Sequence, residues 1–426
     1  MKTRWWLRVG AVFAVLALAA AACGDNGDDK AEEERKIEAK PATDRLVIGS
    51  LRAETGSLAP LGPPVIEGTN LAVEDVNGAG GVLGQQVELL TGDEGEDAAR
   101  VSDSLSRMLG EGANAIVGAM ASGQTQEVIQ GLSDEEIPEC SPSNTSTVFG
   151  DQRNANFYFR TVPPDAAVAP VFADKILADG RGNIAVVARQ DDYGETLLQE
   201  TVSALQSRGA TVAAQVTYDP DTTTFDSEVE EITAANPDAL VVISFAEGGP
   251  LVSGLLEAGL TPNQLYGGDG IFYPAFGEEV DPDNPNVIDG MVLIGATGGT
   301  DFNTRLNEAL PRNEKGNFIY GGQAYDCVVL LGLAAEAAGS VSGPDVIAQV
   351  EAVSAGGTDC ANFAECKALL AQGQDIKYIG ESGPWNIVRE RGSGDPTLGR
   401  YAIAVARGGA LEAIGQQDVD LTQVGG

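Results

Sequence analysis

The 426-residue sequence contains no histidine. That removes the commonest general base, the usual partner of a catalytic serine and the commonest zinc ligand. Cationic residues are scarce: 26 Lys and Arg stand against 63 Asp and Glu, a formal charge of −37. Such a balance repels phosphate backbones and anionic lipid heads, so nucleic acid is excluded as a partner, and the surplus acid reads as a solvated surface. There is no Gly-x-x-x-x-Gly-Lys-[Ser/Thr] loop, no Ser-His-Asp set and no cluster of metal-ligand spacing. The sequence therefore reads as that of a non-enzyme, with no metal and no cofactor. The apolar run Val9 to Ala22 is too short to be a good membrane span.

That run has another reading. Lys2, Arg4 and Arg8 precede it, and Ala20-Ala21-Ala22-Cys23 follows. The arrangement resembles a bacterial lipobox, with Ala20 where Leu is preferred. Residues 1–22 are expected to be a lipoprotein signal peptide, Cys23 the lipidated first residue of the mature chain, and residues 23–43 a charged, flexible tether. Cysteine is limited to five residues. Cys360 and Cys366 flank Ala-Asn-Phe-Ala-Glu and are expected to close a small disulfide loop in an oxidising compartment. For Cys140 and Cys327, pairing and two buried free thiols both remain open.

Glycine, by contrast, is abundant at 54 residues, which suits many tight turns. From Asp44 the sequence repeats one unit: an apolar run, a Gly-rich turn, an amphipathic helix. Strict alternation of this kind predicts α/β lobes, each a parallel sheet flanked by helices. The rhythm runs twice, with a break at Pro163-Pro164. The tail from Tyr378 to Leu411 alternates like terminal strands, with a turn at Gly394-Asp395-Pro396.

One stretch organises the rest. Ala115-Ile116-Val117 is a buried strand, and a helical pattern begins at Thr125, so Ser122 falls between strand end and helix start. Free N–H groups and the helix dipole favour an anion there, although a serine at that point also reads as a simple helix cap. Thr145, Tyr193, Phe245 and Asp269 likewise follow predicted strands, the edge at which open parallel sheets bind ligands. A cleft between two lobes would gather all five.

In order and spacing, several motifs resemble a known family. They are Thr55-Gly56-Ser57, Val76-Asn77-Gly78-Ala79-Gly80-Gly81, Val117-Gly118 with Ser122 and Thr125-Gln126, Ser141-Pro142-Ser143-Asn144-Thr145-Ser146, Asp192-Tyr193-Gly194-Glu195, Gly268-Asp269-Gly270 and Ala324-Tyr325-Asp326. From Leu46 to about Leu411 the chain is similar to the type I periplasmic binding proteins, the branched-chain and hydrophobic amino acid receptors of ABC transporters. The resemblance implies two doubly wound lobes joined by three crossovers: residues 44–162 and 296–377 in the first, 163–295 and 378–412 in the second, and a tail over 413–426. It implies that Ser122 and Thr145, with backbone near Ser143, hold an α-carboxylate, that Tyr193 packs on the ligand, and that Asp269 pairs with the α-ammonium. Leu61 stands where many relatives have Tyr, and the family's first-lobe disulfide is missing, since Asp93 and Ala121 occupy those places. Leu61, Met120, Phe245 and Ile271 or Phe272 suggest an apolar wall, or equally core.

The function implied is a monomeric, lipid-anchored extracytoplasmic receptor. It would capture an apolar amino acid and pass it to an ABC permease and ATPase. A signalling receptor is the alternative from another class; urea, short amides or aromatic acids are alternative ligands.

Overall fold

Val47–Arg52 (β1) is buried along nearly its whole length, as a strand covered by helices on both faces must be. The computed structural model describes residues 44–151, 156–383, 386–389 and 394–423; the expected signal peptide, Cys23 and tether lie outside them. After β1 come helix α1 (Gly62–Gly78), β2 (Glu88–Asp93), α2 (Ala98–Glu111), β3 (Ala115–Val117), α3 (Ser122–Asp134), β4 (Glu139–Ser141) and β5 (Tyr158–Arg160). Their sheet is parallel, in the order β2-β1-β3-β4-β5. The second sheet is fed by α4 (Asp165–Ala178), β6 (Asn183–Arg189), α5 (Asp192–Ser207), β7 (Thr211–Tyr218), α6 (Asp226–Ala234), β8 (Ala239–Ile243), α7 (Gly249–Glu257), β9 (Leu265–Gly267), α8 (Phe276–Val280) and β10 (Val292–Ala296).

The chain then returns to the first lobe. It supplies α9 (Thr300–Ala309), the apolar α10 (Gly321–Ala338), α11 (Gly343–Ala355), β11 (Thr358–Cys360), α12 (Phe363–Leu370) and β12 (Ile376–Tyr378). Helix α10 is buried at fifteen successive positions, Gly321 to Ala335, against α1 and α11. Cys140 on β4 is bonded to Cys327 on α10, and Cys360 to Cys366. The first bond decides between the two readings left open for Cys140 and Cys327.

The ending differs from the expected division. Tyr378 does not begin the second lobe's final segment. Its hydroxyl donates to Asp326 on α10 at 2.6 Å, β13 (Ile387–Val388) packs on α11, and β14 (Asp395–Pro396) packs on β5. Fully buried Arg160 donates to Asp395 at 2.7 Å and so holds this stretch to the first lobe. The chain crosses over only before β15 (Leu398–Arg407), which pairs antiparallel with β10 and with β16 (Ala410–Asp420). The second sheet thus runs β16-β15-β10-β9-β8-β6-β7. Residues 413–420, expected as a tail, are the body of β16. The hairpin turns at Gly408-Gly409 rather than at Gly394-Asp395-Pro396. Both glycines have positive φ, +61° and +75°, the conformation that a tight right-twisted hairpin requires.

Candidate functional site

In the first sheet the strand order reverses between β1 and β3, and in the second between β6 and β8; these are the points where α/β sheets open a crevice. After β1 the chain places Leu58 and Leu61; after β3 it places Met120, Ala121 and Ser122. Gly118, at φ +106°, starts the latter turn, and a Cβ there would stand 2.2 Å from the Leu51 carbonyl oxygen. The turn is pinned from below. Glu94, at the end of β2, accepts from Met120 N–H at 2.6 Å and from Ala121 N–H at 3.1 Å. Ser143 Oγ donates to the Met120 carbonyl at 2.9 Å. The helix cap is Ala121, without a side-chain bond, so Ser122 is the first residue of α3 and not its cap. Its Oγ accepts a long 3.4 Å contact from Ser146 N–H.

The second lobe supplies the opposite end. Asp269 follows β9 and is 2% exposed. Its Oδ1 accepts from the Tyr193 hydroxyl at 2.6 Å and from Gly270 N–H at 3.1 Å. Its Oδ2 accepts from the hydroxyl of Tyr320, which comes from the first lobe. Burial pushes the Asp269 carboxyl upward, and the two phenols and Gly270 N–H pull it back. The Tyr193 ring stacks on Phe245 with centroids 5.2 Å apart, and the Arg189 guanidinium lies 3.8 Å from the Phe245 centroid. Arg189 is held by Asp191 and Glu247 and reaches Ser57 Oγ of the other lobe at 3.4 Å. Ala246 N–H donates to the Ser57 carbonyl at 3.1 Å. The lobes therefore meet both at the mouth and at the floor of the cleft.

Between them lies a small, nearly closed cavity. Ser122 and Ser143 line one part, Asp269 and Tyr193 another, and Leu61, Met120 and Phe245 the walls. Seven of the eight expected residues are thus brought together. The last three are also fully integrated in the core, so wall and core are one role here. Thr145 is buried off the lining, its carbonyl accepting from Asp165 N–H at 2.7 Å. Ile271 is buried and not on the cavity lining, and Phe272 lines a separate hollow near the second crossover.

Sequence reasoning missed Leu58, Tyr320 and Glu94. Tyr320 has no local motif; its one signature is a positive φ of 60° just before α10, visible only in the backbone. Such left-handed non-glycine residues gather at ligand clamps.

Burial raises the pKa of several acids, among them Glu94, Asp165 and the half-buried Glu381. Glu94 reaches about 8 by burial, opposed by its two N–H partners. Asp165 reaches about 7 by burial and the nearby Asp269 charge, and Glu381 about 7 by burial and Asp326. Each holds its proton more tightly folded than unfolded, so its contribution is complete below pH 4 and is lost as pH rises through 7 to 8. The melting temperature of the unliganded protein is expected to fall between about pH 5 and 8 and to level off above that. Asp165→Asn should flatten that slope; equal slopes in both proteins would remove Asp165 from it.

Two sheets facing each other across a cleft, with polar groups from both lobes converging on one cavity, define a two-lobed binding protein. Residues 46–365 match the model of the Periplasmic binding protein family, and the chain belongs to that family. It is a family of solute-binding proteins, not of enzymes. The Leu/Ile/Val-binding protein homolog 3 of Brucella melitensis is 28% identical over 53% of this chain and 61% of its own length. The alignment thus spans less than two thirds of that relative. The chemotactic signal transduction system substrate-binding protein BasB of Halobacterium salinarum is 28% identical over 79% of this chain and 82% of its own. The crystal structure of the leucine-binding protein LivK of Thermotoga maritima superposes with a TM-score of 0.72 at 18% identity, covering 88% of this chain and 99% of that one.

Proposed function

We propose that this protein is an extracytoplasmic receptor that captures an amino acid between its lobes and hands it to an ABC importer. The observation that carries this is the polarity of the cavity. Asp269, braced by Tyr193 and Tyr320, offers a carboxylate at one end, and Ser122 with the start of α3 offers hydroxyl and N–H donors at the other. A zwitterion fits such a pair of ends, and the Leu61, Met120 and Phe245 walls favour an apolar side chain. The Leu/Ile/Val-binding relative supports the ligand class. Docking on a permease and its ATPase, anchoring through Cys23 and a monomeric state belong to the same proposal. Closure is a two-state motion selected by a ligand that touches both lobes.

A thermal-shift screen of the purified protein tests it, since bound ligand raises the melting temperature by mass action. Leucine, isoleucine and valine should raise it, and their deaminated acids should not. A rise with benzoate-type acids, urea or amides alone would replace the ligand class. Ser122→Ala should weaken binding by about 1–3 kcal/mol, the worth of a charge-assisted hydrogen bond; unchanged calorimetric affinity would leave Ser122 outside the anion end.

A second reading is favoured by the relative BasB, whose name places it in a chemotactic signalling system. Uptake of labelled ligand in a deletion strain separates the two: transport is lost if the chain feeds an importer and preserved if it only reports.

A further inference from the structure

The turn that carries Ser122 has an acid on one face and the cavity on the other. From below, the Glu94 carboxylate spans Met120 N–H at 2.6 Å and Ala121 N–H at 3.1 Å. From above, the same Met120, Ala121 and Ser122 face the cavity. We propose that Glu94 is the positioning residue of the anion end, and that capture of a ligand carboxylate on this turn is coupled to uptake of one proton by Glu94. This rests on the amino-acid reading above and deepens it.

Glu94 is fully enclosed, and among the described residues no cation pairs with it. Of the charged groups around it, Asp93 beside it raises its proton affinity. Arg100 on α2 is paired with Asp93 and Arg52 on β1 with Glu54. Glu96 is engaged with Ser57, and on β4 Glu139 is itself pushed well above the carboxylate range by burial. The two N–H bonds alone favour the ionised form, and burial offsets them, leaving a carboxyl that titrates at about 8. A second negative charge brought to the other face of the same turn disfavours ionisation further. Below pH 8 Glu94 is already neutral and the anion binds freely. Above it, binding must first return the proton, so affinity falls as pH rises.

Calorimetry of the full-length protein with leucine as the probe, from pH 6 to 9, tests the coupling. Affinity should be level below pH 7.5 and fall roughly tenfold per pH unit as the pH passes well above 8. At pH 8, paired buffers of different ionisation heat should show uptake of about half a proton. Glu94→Gln, which keeps the size and an acceptor, should abolish both effects. Should that variant fail to fold, the paired-buffer measurement on the natural protein decides alone. Binding with a flat profile, or with proton release centred near pH 7 that would point to Asp165, overturns the coupling but keeps the receptor. Absence of leucine binding at every pH overturns the amino-acid reading, and this proposal with it.

Discussion

Asp269→Ala is expected to abolish amino-acid binding while the protein remains folded. The carboxylate lies at the floor of the cleft, and no other acid lines the cavity among the described residues. Removing one partner of a buried, hydrogen-bonded charge pair costs about 2–5 kcal/mol, which weakens binding by roughly thirty- to several-thousandfold. The fold itself should tolerate the change. A carboxyl that burial has pushed upward contributes little to stability as an ion, and the orphaned Tyr193 and Tyr320 hydroxyls can turn to water in the emptied space. Asp269→Asn sharpens the test: it keeps two acceptor-sized atoms but not the charge. Near-natural calorimetric affinity in either folded variant would remove Asp269 from the ammonium end. Tyr320→Phe should lose far less, because one brace of two disappears while the charge stays.

The second large effect concerns stability. Cys140 and Cys327 are 187 residues apart in sequence, and their bond ties the sheet of the first lobe to α10. Cross-linking so long a loop removes much chain entropy from the unfolded state, and loss of a natural disulfide typically costs about 2–5 kcal/mol. Cys140→Ala with Cys327→Ala should therefore lower the melting temperature by on the order of 10 °C for a lobe of this size. The Cys360–Cys366 bond closes a loop with a separation of only 6 residues, so its removal should cost less. Equal shifts from the two pairs, read by calorimetry under non-reducing conditions, would show that loop length does not govern them.

Much of this architecture was legible in the sequence because parallel α/β sheets write it there plainly. Buried strands such as Ala239–Ile243 are unbroken apolar runs, and each is followed by a turn and a periodic helix. Tyr193, Phe245 and Asp269 could be placed near a ligand edge from strand ends alone. Pairing beyond nearest neighbours was not legible. Nothing local reveals that β14 packs on β5 through Arg160 and Asp395, or that Cys140 meets Cys327, since both contacts join residues about 200 positions apart. Thr145 illustrates the finer limit. Its position after β4 is as expected, but its side chain is buried off the cavity lining, a choice set by tertiary packing. Glu94 was invisible for the same reason: an acid in an acidic chain carries no mark of being enclosed.

The order of the strands also shapes how the chain assembles. In the second lobe, β6 to β10 are complete by Ala296, but the neighbour of β10 on its open side arrives only with Leu398. In the interval the chain builds half of the other lobe. As the polypeptide emerges from its N-terminal end, a nearly finished sheet exposes a row of unpaired backbone groups along Val292–Ala296, a template for pairing with other chains. The hairpin of β15 and β16 then covers that edge. Neither lobe can mature before its sibling has been largely threaded, and the window for misassembly closes only with the final strands.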